Sequence, residues 1–444
     1  MTTNWQSRRD VLARATAAGA LAGLGSSVLP SAAAAAADVR PAARSVLDFG
    51  AVGDGKADDT AAFQRALDAA APTGGVVPVP VGNFLVRGHL TVPPHVTLEG
   101  VSRSPTARSQ GFGSTILATG GRGRADGEPL FFLQPNAVLK GLMVHYPEQD
   151  ATNAVEYPWC VRGRGDNVAL LDVLMVNPWN AVDFGTYPCG RHLVRGLYGQ
   201  PLNVGVFVDH CLDCGRLEDV HFWPFWTGEP LPATLARGTA FRFARTDWQM
   251  LTNVFCLGYQ TGFHFTAVRT DAGNAMVLNS GADLCAVGVH VEYSQVQAGV
   301  LFTNCQVNAG VVVGEGSLGP VKFANCGLFG TGFGAMPYLA HGDVRATHVL
   351  HRGRGRATFV GCHFYHPEGP FVPAGYADAG HPVVYSDGHG LTVSGCDFTG
   401  FSRRHLRLGA SARSTVVTGS RFLGGLKVER EGAGKVVAGD NIDE

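Results

Sequence analysis

Charge is scarce in this sequence. Asp, Glu, Lys and Arg make up 16% of its 444 residues, against about 25% in an ordinary soluble chain. The 35 basic and 36 acidic residues leave a net charge of −1 at neutral pH. So even a balance gives no basic surface to neutralise phosphates, and nucleic acid is excluded as the partner. The body of the chain has no apolar run of 18 or more residues, so no helix of it is expected to span a membrane. Coiled-coil heptads are missing too, and nothing in the pattern fixes an oligomeric state. Low charge does not mean disorder here, because 45% of the residues are hydrophobic and can build a core. What is abundant is glycine: 60 residues, nearly twice the usual share of about 7%. The length allows two or three compact domains or one elongated one.

The first 37 residues read as a leader rather than as fold. Ser7-Arg8-Arg9-Asp10-Val11-Leu12 precedes an Ala/Gly/Leu stretch, and Ala32 to Ala37 offers Ala-x-Ala cleavage sites. The order resembles a bacterial twin-arginine export signal, which implies a periplasmic or extracellular protein. Removing Arg8, Arg9, Asp10 and Arg14 with residues 1–37 would leave a mature charge of −3. Ten cysteines in an exported chain first suggest disulfides. Their spacing suggests otherwise. Cys305, Cys326, Cys362 and Cys396 each follow Asn or Gly at one place in a repeat, which predicts a column of buried free thiols.

That repeat decides the fold. It reads apolar, any residue, Asn/Asp/Gly, apolar or Cys, any residue, apolar. Copies centre on Gly141, Asp172, Asp219, Asn253, Asn304, Asn325, Gly361, Gly395 and Gly419. A second motif recurs between them, as in Ala181-Val-Asp183-Phe-Gly185, Gly205-Val-Phe-Val-Asp209, Ala240-Phe-Arg242-Phe, Gly262-Phe-His264-Phe and Gly288-Val-His290-Val-Glu292. Period-2 alternation rich in Gly and β-branched residues excludes helical repeats. Similar units every 20 to 40 residues mean a solenoid. The fold class is therefore all-β: a single-stranded right-handed parallel β-helix over 38–444, with two strands per coil. Alternation puts Val182, Val206, Phe241, Phe263, Val289 and Val311 inside. The repeated Asn/Gly read as tight corners in left-handed backbone.

The N-terminal element differs. Asp48-Phe-Gly-Ala-Val-Gly-Asp-Gly-Lys-Ala-Asp58-Asp59-Thr60 leads into a helix expected from 61 to 70, placed to cap the raw end of the solenoid. The Asp/Thr cluster is expected to cap the helix. With Gly74-Gly75-Val, Pro80-Val-Gly-Asn-Phe84 and Leu98-Glu-Gly100, residues 45–102 closely resemble the rhamnogalacturonase/epimerase-like branch of the pectate lyase superfamily. The resemblance implies secreted enzymes that cleave or modify polysaccharides. Phage tailspikes and some non-enzymatic surface proteins resemble the same motif. It speaks for fold more than for chemistry.

The hydrolases of glycoside hydrolase family 28 carry Asn-Thr-Asp, Asp-Asp, Gly-His-Gly and Arg-Ile-Lys. Here Asp-Asp occurs only at 58–59, Gly388-His389-Gly390 stands alone, and the other two are missing. Their catalytic set cannot be carried over. Val206-Phe-Val-Asp209-His210 is similar to a pectate-lyase stretch, but the accompanying Arg motif is missing. No acidic cluster suggests calcium, so neither metal nor cofactor is expected.

The outward-facing residues supply candidates instead. Asp183, Arg242, His264 and His290 fall in one outward column, and Asp209 and Glu292 in the neighbouring one. Two of Asp183, Asp209 and Glu292 would serve a hydrolase as its carboxylate pair. A lyase would use Arg242 or Arg269 against a uronate and His264 or His290 as base. His221, Trp223 and Trp226 offer an aromatic platform for sugar rings, in line with an oligo- or polysaccharide partner. The reading favours a secreted glycoside hydrolase with its groove at about 180–295. A lyase, an epimerase and a non-catalytic carbohydrate-binding protein are the alternatives.

Overall fold

The computed structural model describes residues 43–102, 112–330, 338–365, 380–400 and 404–443. The leader at 1–37 lies outside them. Short alternating segments pair in parallel from one coil to the next. Among the described residues they build a 25-stranded and a 13-stranded sheet, and one antiparallel hairpin, Leu339–His341 with Val344–Ala346, stands apart. The result is a parallel β-helix. The expected core column is present: Val182, Val206, Phe241, Phe263, Val289 and Val311 are in register and buried. Like residues stack on like. Phe241 and Phe263 lie with ring centroids 5.1 Å apart, and Phe302 and Phe323 4.9 Å apart, close to the 4.7–4.9 Å rise between strands.

Each coil carries three strand segments, not two. The extra bend comes from the repeated Asn/Asp/Gly. At Gly141, Asp172, Asp219, Asn253, Asn304, Asn325, Gly361, Gly395 and Gly419 the backbone φ is positive, and Gly196, Asn279 and Asp440 extend the series, all between 49° and 68°. One left-handed residue turns the chain between two faces of the larger sheet without a loop. We call these the first and second faces, and the 13-stranded sheet the third. The residue after each corner points inward. It is Leu142, Val173, Leu197, Val220 and Val254 in early coils, then Ser280, Cys305, Cys326, Cys362, Cys396 and Ser420. All ten cysteines are free. The column is knit by backbone N–H groups donating to the next side chain, Cys362 to Cys396 Sγ at 3.4 Å and Cys396 to Ser420 Oγ at 3.1 Å. Outside that column, burial pushes the Cys160 thiol up to about 12 and the Cys211 thiol up to about 11, so these two stay protonated and packed.

At the N-terminal end the helix Thr60–Ala70 lays Phe63, Ala66 and Leu67 over the first coils. The Asp/Thr cluster before it caps it through Asp58, whose Oδ1 accepts from the Thr60 backbone N–H at 3.1 Å. Asp59, the N-cap residue, makes no side-chain cap bond. It accepts instead from the backbone N–H groups of Val52 and Gly53, at 2.7 and 3.2 Å. Thr60 Oγ1 donates to Asp58 and accepts from the backbone of Arg87 and Gly88. The motif thus ties its own glycine loop and the first strands to the helix.

Candidate functional site

The third face presents one continuous outward column. Pairing aligns Arg162, Asp183, Phe207, Arg242, His264, His290, Val312, Leu350 and Tyr385. Its C-terminal part is covered, because Leu339 and Ala346 of the hairpin pack on Leu350 and Tyr385 with Val312 against them. The open part runs from Phe207 to His290. Phe207 stacks on Trp159 with ring centroids 6.4 Å apart. The Arg242 guanidinium lies 5.4 Å over the Phe207 ring, and its Nε is buried with no hydrogen-bond partner.

His264 and His290 stack at 4.9 Å with their planes 8° apart, as residues one coil apart on one face must. One residue past the strand ends, Glu292 joins them. Its Oε2 accepts from Thr266 Oγ1 at 2.6 Å and lies 3.1 Å from His264 Nε2. Partial burial works against the charged carboxylate, yet the bonds from Thr266 and His264 hold Glu292 below the usual range. Burial also lowers His264, against the pull of Glu292. It lowers His290 to about 4, helped by His264 beside it. At neutral pH the cluster is therefore an ionised carboxylate, two neutral imidazoles and a guanidinium. The His264 Nε2–H donates to Glu292, which leaves Nδ1 with the lone pair.

The other expected carboxylates are placed differently. Asp183 shares the column but is fully buried rather than solvent-facing. Its oxygens accept from Arg162 Nε at 2.7 Å, from the backbone N–H groups of Gly185 and Thr186, and from Thr186 Oγ1. Asp209 is also fully buried. It accepts from the Arg245 backbone at 3.1 Å and from Arg269 Nε at 2.8 Å. Arg269 reaches back across the coils and donates to the carbonyls of Gly185 and Thr186. Both aspartates are thus taken up in binding neighbouring turns together, and an open pair of carboxylates is not formed by them.

The aromatic residues are not in the groove either. His221 follows the corner at Asp219 and so lies on the second face, in register with Tyr198 and Phe255. Phe225 stacks on Tyr198 at 6.2 Å and meets His221 at 5.4 Å. Trp226 packs on Met143, Leu174 and Val176. Trp223 remains 39% exposed beside them. This loop is largely a plug over the second face. The residues that sequence reading passed over are Phe207, Arg162 and Thr266. Phe207 occupies the same in-between position as Arg242, and the alternation alone marks it. Among the described residues no group of three or more His, Cys, Asp or Glu is arranged to hold a metal ion.

Comparison with known proteins supports the architecture. The family described as "Rhamnogalacturonase A/epimerase, pectate lyase-like" matches residues 43–127. The tail spike protein of Shigella phage Sf6 is 28% identical over 190 residues, 39% of this chain and 29% of the spike. Mannuronan C5-epimerase AlgE3 of Azotobacter vinelandii is 42% identical over 83 residues, 17% of this chain and 4% of that protein. The chain thus spans less than a third of either curated relative. Among solved structures, pre-mature gene product 12 of bacteriophage phi29 superposes with a TM-score of 0.57 at 14% identity, covering 89% of this chain and 56% of that one. That likeness is one of fold.

Proposed function

We propose that this chain is an exported enzyme that binds an acidic polysaccharide along the third face and removes the proton beside a sugar carboxylate, as a lyase or an epimerase does. The observation that carries the proposal is the meeting of an unpartnered Arg242 Nε with a neutral His264 oriented by ionised Glu292. Arg242 would hold the uronate carboxylate, and His264 Nδ1 would take the C5 proton. The C–H electron pair moves into the carboxylate as an enediolate, whose charge Arg242 offsets. Collapse then either expels the C4 oxygen, which takes a proton from water and leaves a C4–C5 double bond and a new chain end, or takes a proton from water at C5 on the face opposite His264. The relatives fit this reading in kind, since one by its name is an epimerase acting at C5 of mannuronan.

The hydrolase expected from the sequence needs a second carboxyl, one of them protonated. Glu292 is the one of the three expected carboxylates whose side chain stays substantially exposed, at 42%. Its lowered pKa suits an orienting anion better than a general acid. The test is incubation of residues 38–444 with uronic-acid and neutral polysaccharides, following ultraviolet absorbance of unsaturated uronate, sugar inversion and reducing ends together. Unsaturation or inversion on a uronate polymer, lost in His264→Ala, supports the proposal. Reducing ends with neither signal would point to hydrolysis, and binding with no change of any polymer to a non-catalytic protein.

A further inference from the structure

Beyond Glu292, the loops that follow the third face close around a cleft of about 450 Å³, lined by Arg245, Asp271, Tyr293, Gln295, Gln297 and Leu318 among others. This lies within the 300–1,000 Å³ usual for small-ligand sites. One wall is aromatic. Tyr293 directly follows Glu292 and is 39% exposed. Its ring lies against the α-carbon of Gly316, where a Cβ would come within 2.5 Å of ring Cε1. A side chain at 316 would displace the ring, so glycine there gives Tyr293 its place.

The charge of the lining is one-sided. Arg245 is spent on Asp247, donating to its two oxygens at 2.5 and 2.9 Å. Asp247 is also bonded by Gln295 and Asn274, at 3.0 and 3.3 Å. Arg269, on the same loop as Asp271, turns away to Asp209. That leaves Asp271, which is exposed, as the unbalanced charge of the cleft. A uronate entering would meet repulsion from Asp271, with Glu292 close by in sequence. A neutral sugar would find a carboxylate and amides to bond its hydroxyls, and an aromatic face for its C–H groups.

We infer that this cleft is a binding subsite for a neutral sugar unit of the polymer, next to the uronate position at Arg242. The inference rests on reading the third face as a polysaccharide groove. It extends that reading to substrate class: a polymer carrying neutral sugars near its uronates, in place of a pure polyuronate.

The test is calorimetric titration of the mature chain with neutral oligosaccharides of glucose, galactose, mannose and rhamnose, and with oligouronates. Wild type is expected to bind at least one neutral series. Tyr293→Ala should weaken that binding roughly tenfold, as loss of an aromatic contact does, while Tyr293→Phe keeps it and guards against misfolding. Asp271→Asn should raise uronate affinity relative to neutral sugar. Neutral-sugar binding unchanged in Tyr293→Ala and in Asp271→Asn would overturn the subsite, as would binding of uronates alone. Activity of the wild type on polymers, set beside binding by Tyr293→Ala, separates the two readings. Binding that depends on Tyr293, with no polymer altered by wild type, would sink the reaction and leave the cleft. A polymer altered by wild type, with binding indifferent to Tyr293, would do the reverse.

Discussion

Asp183 and His264 stand in one column on one face, yet their surroundings send them to different tasks. Asp183 meets Arg162 from the preceding coil and two backbone N–H groups from its own turn. Breaking a buried ion pair strands the remaining charge, at a cost of about 3–5 kcal/mol. Asp183→Ala should accordingly lower the melting temperature markedly, read by calorimetry. An unchanged melt with activity lost would instead make Asp183 part of the chemistry. His264 carries the opposite expectation. His264→Ala should leave the melt nearly intact and lower turnover by about 10²–10⁴-fold, the usual contribution of a general base. Because burial lowers its pKa, the imidazole is in its working neutral form at neutral pH. Activity should fall on the acid side, with a limb below the ordinary histidine range. A limb at or above that range would mean another base. Alternation in the sequence was enough to place Arg242, His264 and His290 in one outward column. It was silent on Arg162, which lies outside the repeats noticed, so the burial of Asp183 was not legible.

Corners make the elements. Asn304 shows the physics most simply, because its side chain is exposed and its φ is 54°. Asn304→Gly should be close to neutral. Asn304→Ala should cost about 1–2 kcal/mol, the penalty of Cβ in left-handed backbone. Equal melts for the two variants would remove the corner from the account. The sequence showed these corners plainly, since Asn, Asp and Gly recur before an inward residue. It did not show that one such residue bends the strand enough to make a further face. That bend is why His221, Trp223 and Trp226 were expected in the groove yet lie by the second face. A period of two tells inward from outward, but does not tell one outward face from another. The cysteine column was legible from the same corner, because a thiol is small enough to stack where Val and Leu stack in earlier coils.

The molecule as a whole buries histidines in neutral form. Burial takes His192, His290 and His351 down to about 4 from an ordinary 6.5. Below 6.5 the unfolded chain takes up protons that the native chain refuses. Stability is therefore full above that pH and falls as the pH drops toward 4. For His192 and His351, both fully enclosed, the loss is roughly 3 kcal/mol each. Melting temperatures should fall steadily from about pH 7 to about pH 4.5, and a flat profile would contradict the burial of neutral imidazoles. The solenoid was the most legible part of the protein, because one coil's pattern repeats through all of them. The site was the least, because it depends on which neighbours in adjacent coils claim each charge. The central claim, proton removal at the third face, is tested most directly by proton NMR of an acidic polysaccharide incubated in heavy water with the wild type and with His264→Ala. The account predicts that the C5 proton signal of uronate units is lost to deuterium or to a double bond with wild type, and persists with the variant. Intact C5 protons alongside new reducing-end signals would contradict it.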